Sequence, residues 1–141
     1  MRVLFDTNVL LDVLLARAPH VAPATALLDH VAAKSLDGLL GATTLTTIHY
    51  LATKAVGAKA AQGHIRTLLG LFEVAPVTRT VLTDALDLGL VDYEDAVLHE
   101  AARHARAEAI VTRDPKGFAA ARLKLYAPDE LLRFLAATPE R

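Results

Sequence analysis

The hydrophobic residues of this chain follow two spacings in turn, and this pattern predicts an α/β fold. Short runs rich in apolar residues, such as residues 2–5 and 109–112, are typical of buried strands. Longer segments with apolar residues three and four positions apart are typical of amphipathic helices. Because both kinds of segment alternate with short connections, we expect a mostly parallel sheet of four to five strands covered by helices.

Cap and turn residues set the boundaries of the predicted elements. Gly57 is expected to end the third helix, Asp92 to cap the sixth, and Asp37-Gly38 to form a turn. The strands are predicted over residues 2–5, 39–42, 72–74, 109–112 and 123–126. The helices are predicted over residues 8–15, 21–34, 58–71 and 93–106, with others starting at Thr43 or Thr44, at Thr78 or Thr80, and at Pro128.

Length and composition indicate a single globular domain and exclude several kinds of functional site. With 141 residues, of which 53% are hydrophobic, residues 1–141 are predicted to form a single domain with a sizeable core. The chain has no cysteine, so disulfides, zinc–thiolate sites and cysteine nucleophiles are excluded. No signal peptide and no membrane-length apolar segment is evident, which favours a cytoplasmic protein. The net charge of −1 means that nucleic-acid binding would need a local site.

Acidic residues stand where predicted strands end and where a predicted helix begins. Asp6 follows the first strand and Asp114 follows the fourth, while Asp92, Glu94 and Asp95 open the sixth helix. The carboxyl ends of parallel strands and the amino ends of crossover helices share one edge of such a sheet. We therefore expect these carboxylates to meet over one small area.

A cluster of like charges suggests a bound cation, although simpler roles stay open for each acid alone. Carboxylates at close range repel one another unless a cation neutralises them, and all-oxygen sites suit Mg²⁺ or Mn²⁺. Asp6 and Asp92 are also good helix caps, and Asp114 before Pro115 is a common turn residue. His99 lies four residues after Asp95 on the same helix face, whereas the other five histidines show no ligand spacing with an acid. We expect all six to be ordinary surface or core residues.

Three segments of the chain together resemble a known family. These are Leu-Phe-Asp-Thr-Asn-Val-Leu at residues 4–10, Asp-Tyr-Glu-Asp-Ala-Val at residues 92–97, and Ile-Val-Thr-Arg-Asp at residues 110–114, with Phe118 beyond. In order and spacing they resemble the PIN-domain family, in particular the VapC-like toxin ribonucleases. The resemblance covers nearly the whole chain.

The resemblance implies a three-layer α/β/α sandwich and an Mg²⁺- or Mn²⁺-dependent nuclease that cleaves single-stranded RNA. It also implies a homodimer and, for a toxin, a small antitoxin protein that blocks the site. The family's acids map to Asp6, Asp95 and Asp114, which would be catalytic residues and metal ligands. Thr7 and Asn8 match the polar residues after the first acid.

The resemblance departs from the family pattern at one acid. The family usually places a glutamate early on the helix after its second strand, whereas this chain has no acid between Asp37 and Glu73. We expect Glu94 to supply the missing carboxylate as a catalytic and metal-binding residue, with Asp92 as the less favoured substitute.

Basic residues close to the predicted acids complete the proposed site. Arg113 and Lys116 flank Asp114, and Arg17 follows the first helix. We expect these three residues to position the RNA backbone.

Other functions stay open on the sequence. The missing glutamate leaves the alternative of a catalytically weakened PIN scaffold that binds RNA or protein. A haloacid-dehalogenase-like phosphatase would need a second acid two residues after the first, where Asn8 stands. A phosphoacceptor receiver domain would need adjacent acids after its first strand, where only Asp6 is present.

Overall fold

The computed structural model describes residues 1–118 and 121–138. Strands alternate with helices, as the hydrophobic pattern predicts. The strands are β1 (Arg2–Phe5), β2 (Asp37–Gly41), β3 (Glu73–Ala75), β4 (Ala109–Val111) and β5 (Lys124–Tyr126). The helices are α1 (Thr7–Leu14), α2 (Val21–Ala32), α3 (Ala42–Val56), α4 (Ala58–Leu71), α5 (Arg79–Leu86), α6 (Tyr93–His104) and α7 (Pro128–Ala137), with a 3-10 turn over Pro115–Phe118.

The five strands form one sheet in the order β3-β2-β1-β4-β5, and every pairing is parallel. From β1 the chain proceeds outward to β2 and β3, then returns to build β4 and β5 on the other side of β1. The order therefore switches between β1 and β4, which are joined by the pairing of Phe5 with Val111. In open parallel sheets, ligands bind beyond the carboxyl ends of the strands at such a switch point.

Each face of the sheet carries its own hydrophobic core, because successive side chains of a strand point to opposite faces. Phe5 and Val111 pack on one face with residues of α1, α2, α3, α4 and α7, including Leu27, Ile48 and Leu131. The intervening residues Leu4 and Ile110 pack on the other face with α5 and α6. The structure thus has helices on both sides of the sheet, which confirms the predicted three-layer α/β/α arrangement.

The start of β2 differs from the prediction. Asp37-Gly38 is predicted as a turn, but both residues belong to β2, where they pair with Arg2 and Val3 of β1. The backbone pairing overrides the local turn preference, because β1 offers a complete ladder of partners. Similarly, β3 extends to Ala75, which pairs with Gly41.

The start of α3 also differs from the prediction. Neither Thr43 nor Thr44 caps this helix, which begins at Ala42 after the N-cap residue Gly41. A side chain at Gly41 would collide with Leu98 of α6, so close packing of α6 against the end of β2 requires glycine there. Elsewhere the predicted caps are confirmed: Gly57 ends α3 with a positive φ of 89°, and Thr78 caps α5.

In the described part of the chain, no helix is both long enough and apolar enough to cross a membrane.

Candidate active site

Asp6 lies at the carboxyl end of β1 and is held from two sides. One carboxylate oxygen accepts the backbone N–H of Thr7 at 2.8 Å, so Asp6 is the N-cap of α1. The other oxygen accepts the hydroxyl of Thr112 at 2.7 Å. The carboxylate is almost completely buried, and these two bonds fix its orientation. Asp6 is therefore both a helix cap and a fixed acid at the switch point.

Thr112 follows β4 and links the first acid to the third. Its side-chain oxygen accepts the backbone N–H of Asp114 at 3.0 Å while its hydroxyl hydrogen bonds Asp6. Asp114 itself is exposed, at the start of the 3-10 turn that follows the strand. One buried hydroxyl thus connects the two strand-end acids.

The amino end of α6 brings the remaining acids to the same place. Asp92 is the N-cap of α6, and its side chain accepts the backbone N–H of Asp95 at 3.0 Å, which confirms the predicted cap. Asp95 is half-buried on the inner side of the first turn, whereas Glu94 is exposed. Two acids in the first turn also benefit from the positive end of the helix dipole.

All the acids predicted from the sequence line one open pocket of about 360 Å³. We call the residues Asp6, Asp92, Glu94, Asp95 and Asp114 the acid pocket. The same opening is also lined by Thr7, Asn8, Arg17, Arg113 and the buried Phe118. Lys116 lines an adjoining pocket of about 460 Å³ that shares Asp92, Asp95 and Asp114.

Gly117 brings the backbone close to two of these acids. A Cβ atom placed on Gly117 would lie 3.1 Å from Oδ2 of Asp95 and 3.2 Å from Oδ2 of Asp114. Both carboxylate oxygens therefore face the same small space, which the absence of a side chain leaves open.

Burial and the charges of neighbouring acids raise the pKa values of two acids of the pocket, Asp95 and Asp6. The pKa of Asp95 is raised from 3.8 to about 6, first by burial and then by the charges of Asp6, Asp92, Glu94 and Asp114. Burial also raises the pKa of Asp6, against the opposing effect of its bonds from Thr112 and Thr7. Raised pKa values of this kind are expected where carboxylates are clustered closely enough to share a cation.

The residues of the acid pocket fit a magnesium-type ion bound largely through water. Carboxylates are the ligands such an ion prefers, and Mg²⁺ commonly takes one or two of them while keeping several waters. Among residues 1–118 and 121–138, no three acidic or histidine side chains are close enough together to hold one ion directly. Asp95 and Asp114, whose oxygens face the same space beside Gly117, are the best-placed direct pair.

The start of α3 contributes a hydroxyl, and no acid, beside the first turn of α1. Thr44 is fully buried, and its hydroxyl lies 3.1 Å from that of Thr7. This pairing ties α3 to the first turn of α1 without adding a negative charge. The acid pocket therefore draws its carboxylates from β1, the end of β4 and α6, and none from α3.

A buried acid that the sequence reasoning missed holds two of the predicted basic residues. Asp12 is fully buried in α1, and its Oδ1 accepts Nε of Arg17 at 2.9 Å. Arg113 donates from Nε to the other oxygen of Asp12, and from Nη2 to Oδ1 at 3.2 Å. Asp12 stands four residues after Asn8, on the same face of α1, and this spacing was the available signal.

Thr112 is the second residue of the site that sequence reasoning left without a role. Thr112 belongs to the segment Ile-Val-Thr-Arg-Asp that carries the family resemblance, but the sequence does not show which acid its hydroxyl bonds. Its role depends on Asp6, which is 106 residues away in the sequence.

The fold is similar to that of several solved toxin–antitoxin structures. VapBC2 from Rickettsia felis, solved with a DNA fragment from its promoter, has a TM-score of 0.72 and 16% identity over 90% of this chain and 98% of that chain. A toxin–antitoxin complex from Klebsiella pneumoniae has a TM-score of 0.70 and 22% identity, over 89% and 97%. The sarcin–ricin loop cleaving toxin VapC20 from Mycobacterium tuberculosis has a TM-score of 0.67 and 17% identity, over 84% and 94%.

The sequence comparison agrees with the fold. No curated protein sequence matches the chain. A family model described as the PIN domain, however, matches residues 2–116, which include β1 to β4 and every acid of the acid pocket. The chain belongs to the PIN-domain family.

Proposed function

We propose that this protein is a divalent-metal-dependent endonuclease that cleaves single-stranded RNA. The observation that carries the proposal is the acid pocket, in which acids from two strand ends and one helix meet at the switch point of the sheet. Membership of the PIN-domain family supports the same reaction. Phosphodiester hydrolysis requires stabilised charge on the phosphate and an activated water, and bound Mg²⁺ or Mn²⁺ supplies both.

The positions of the acids suggest which of them would bind the metal ion. Asp6, Asp95 and Asp114 would hold the ion, directly or through water, with Asp6 fixed by Thr112 and Thr7. Glu94, which is exposed at the mouth of the pocket, is our candidate for the fourth carboxylate. Asp92 is less suited, because its side chain already accepts the N–H of Asp95.

The basic residues would meet the RNA backbone. Arg17 and Arg113 line the acid pocket, and Lys116 lines the adjoining one. Positive groups beside a carboxylate site offset its repulsion of a phosphate chain, so they favour binding of the substrate over the edge of the pocket.

We further propose that the protein is the toxin of a toxin–antitoxin pair. The support is its structural similarity to VapBC2 and to the toxin–antitoxin complex from Klebsiella pneumoniae. A small antitoxin protein would then block the acid pocket, and the toxin would form a homodimer. Co-expression with the protein encoded next to it tests this part: the two should purify as a complex, and the complex should be inactive.

A second candidate function follows from the start of α3. Because the chain has no acid between Asp37 and Glu73, α3 supplies no carboxylate to the pocket, whereas the family usually has a glutamate early on this helix. A PIN scaffold that binds RNA or protein without cleaving it is the resulting alternative.

A metal titration of nuclease activity separates the two candidates. We expect cleavage of single-stranded RNA with Mn²⁺ or Mg²⁺, none with EDTA, and recovery when the ion is restored. Asp6→Asn and Asp95→Asn should abolish cleavage while the protein stays folded. Asp37→Asn, an exposed acid at the start of β2 and so at the opposite edge of the sheet, is the matched control and should keep full activity.

Activity that survives Asp6→Asn would point to a contaminating nuclease. RNA binding without cleavage at any metal concentration would establish the scaffold function instead.

A further inference from the structure

The carboxylate of Asp12 is shared by two arginines at the edge of the acid pocket. Asp12 has no exposed surface, and three guanidinium N–H groups reach it, one from Arg17 and two from Arg113. The two arginines come from different parts of the chain, since Arg17 follows α1 and Arg113 follows β4. We call them the arginine pair.

Several guanidinium N–H groups of the arginine pair are not hydrogen-bonded to Asp12. Within the described residues, Nη1 of neither arginine has a hydrogen-bond partner, and Nη2 of Arg17 makes only a 3.4 Å contact with the Asn8 carbonyl. The side chains of Arg17 and Arg113 are 40% and 30% exposed, and both line the acid pocket. The donors not used by Asp12 therefore belong to side chains that remain open to solvent at the pocket.

The charge of Asp12 does not cancel the charges of the arginine pair. One arginine would neutralise the buried Asp12, so Asp12 and the arginine pair together carry one net positive charge, which faces the carboxylates of the acid pocket. Two guanidinium groups on one carboxylate also repel each other, and an anion bound between them would relieve that repulsion. Arginine forks match the geometry of phosphate oxygens, which makes a phosphate group the fitting anion.

We propose that Asp12 is a positioning residue that holds Arg17 and Arg113 as a preassembled binding site for one phosphodiester group of the RNA. This inference rests on the proposed function, because it takes RNA as the ligand. It goes further in stating that the contact forms without metal and depends on a residue that does not touch the RNA. The buried carboxylate fixes both side chains in advance, so less conformational entropy is lost when the phosphate binds.

The test is RNA binding in EDTA, with a fluorescein-labelled single-stranded RNA decamer followed by fluorescence anisotropy. Arg17→Gln and Arg113→Gln should each weaken binding by about tenfold, as expected for loss of a charged hydrogen bond. Each should also reduce the slope of log affinity against log salt by about 0.7. Arg133→Gln is the matched control, because Arg133 pairs with Asp129 on the exposed face of α7 and should leave binding unchanged.

The decisive variant is Asp12→Asn, because general electrostatics and a positioning role predict opposite changes in its RNA affinity. It raises the net charge from −1 to zero, so general electrostatics predicts tighter RNA binding. A positioning role predicts weaker binding, because the arginine pair loses its anchor. Binding as tight as that of the unmodified protein, or tighter, would show that Asp12 only fastens α1 to the end of β4 and would overturn the proposal.

A second variant, Arg17→Lys, tests the same proposal if Asp12→Asn does not fold. Arg17→Lys keeps the charge of a partly exposed side chain but removes the fork that bonds Asp12, and it should lose several-fold in RNA affinity. Undiminished binding by Arg17→Lys would likewise overturn the proposal. Thermal unfolding of each variant, followed by circular dichroism, establishes that the folded protein is being compared.

The two proposals fail in different ways. If the arginine variants lose RNA binding but no metal supports cleavage, the nuclease proposal fails and the arginine site stands. If cleavage depends on metal and Asp6 but RNA binding in EDTA is absent or indifferent to Arg17 and Arg113, the arginine site fails alone.

Discussion

Thr112 donates its hydroxyl hydrogen to Asp6 at 2.7 Å, and the two residues follow neighbouring parallel strands. The same hydroxyl oxygen accepts the N–H of Asp114. A single side chain thus orients one acid of the pocket and the backbone of another. Its bond is also the largest of the effects that lower the pKa of Asp6.

Thr112→Val should weaken metal binding without unfolding the protein. Valine has the shape of threonine but cannot bond either partner, so the pKa of Asp6 rises further and its carboxylate loses its fixed orientation. We expect Mn²⁺ affinity, measured by calorimetry at neutral pH, to fall by about tenfold, as for other residues that orient metal ligands. Thr112→Ser keeps the hydroxyl and should bind Mn²⁺ normally; equal loss in both variants would contradict this explanation.

The burial of Asp95 and its repulsion by neighbouring acids should appear as a pH-dependent cost in stability. Its pKa is about 6 in the folded protein against an ordinary 3.8, so the folded state holds a proton that the unfolded state releases between these values. Stability from this group is therefore present at low pH and is lost as the pH rises towards 6. Without metal, Asp95→Asn should be more stable than the unmodified protein at pH 7 by on the order of 1 kcal/mol, after allowance for solvent screening.

Urea unfolding at two pH values checks the prediction for Asp95. The advantage of Asp95→Asn should disappear near about pH 4, where the aspartate is protonated in the folded state. Added Mn²⁺ should stabilise the unmodified protein more than the variant. A variant that is less stable at pH 7 would show that Asp95 is not crowded by like charges.

Glu94 and Asp92 can be distinguished as the fourth carboxylate. Asp92→Asn keeps an N-cap, since asparagine accepts the Asp95 N–H equally well, so α6 should be undisturbed. Glu94→Gln removes a charge from an exposed side chain at the mouth of the pocket. We expect Mn²⁺ affinity by calorimetry to fall more for Glu94→Gln; the reverse order would make Asp92 the substitute. If neither substitution changes the Mn²⁺ affinity, the site binds metal through the three acids Asp6, Asp95 and Asp114.

Gly117→Ala tests the space shared by Asp95 and Asp114. The new methyl group would lie 3.1 and 3.2 Å from their Oδ2 atoms, so both carboxylates must move by a few tenths of an ångström. We expect the protein to fold and to bind Mn²⁺ more weakly. Gly63→Ala, on the open face of α4, is the control: it should leave metal binding unchanged and raise stability by about 0.5–1 kcal/mol. Normal metal binding by Gly117→Ala would place the ion elsewhere.

The sequence was informative wherever a local pattern sets the outcome. The apolar run before Asp6, the cap at Asp92 and the alternation of strands and helices each act over a few residues. They sufficed to predict the parallel sheet and the meeting of the acids at one edge. The start of β2 escaped prediction because pairing with β1, and not local preference, decides whether Asp37-Gly38 is strand or turn.

Contacts between distant segments could not be predicted in the same way. Periodicity shows which side of a helix is buried but not which side chain it meets. The bonds between Asp12 and Arg113 therefore became visible only in the folded chain. His99 is a similar case: it is fully buried, in agreement with the expected surface or core position, but its partners could not be predicted. Its Nε2 accepts the backbone N–H groups of Arg122 and Leu123.

The pairing of β1 with β4 also decides when during synthesis the site can exist. Thr112 leaves the ribosome 106 residues after Asp6, and Asp114 follows it. Until then Asp6 lacks its hydroxyl partner and the companion carboxylate of Asp114. A translation product that stops before β4 would carry β1 to β3 without a complete acid pocket. If the pocket cleaves RNA as proposed above, this order would keep the nascent chain inactive on the ribosome.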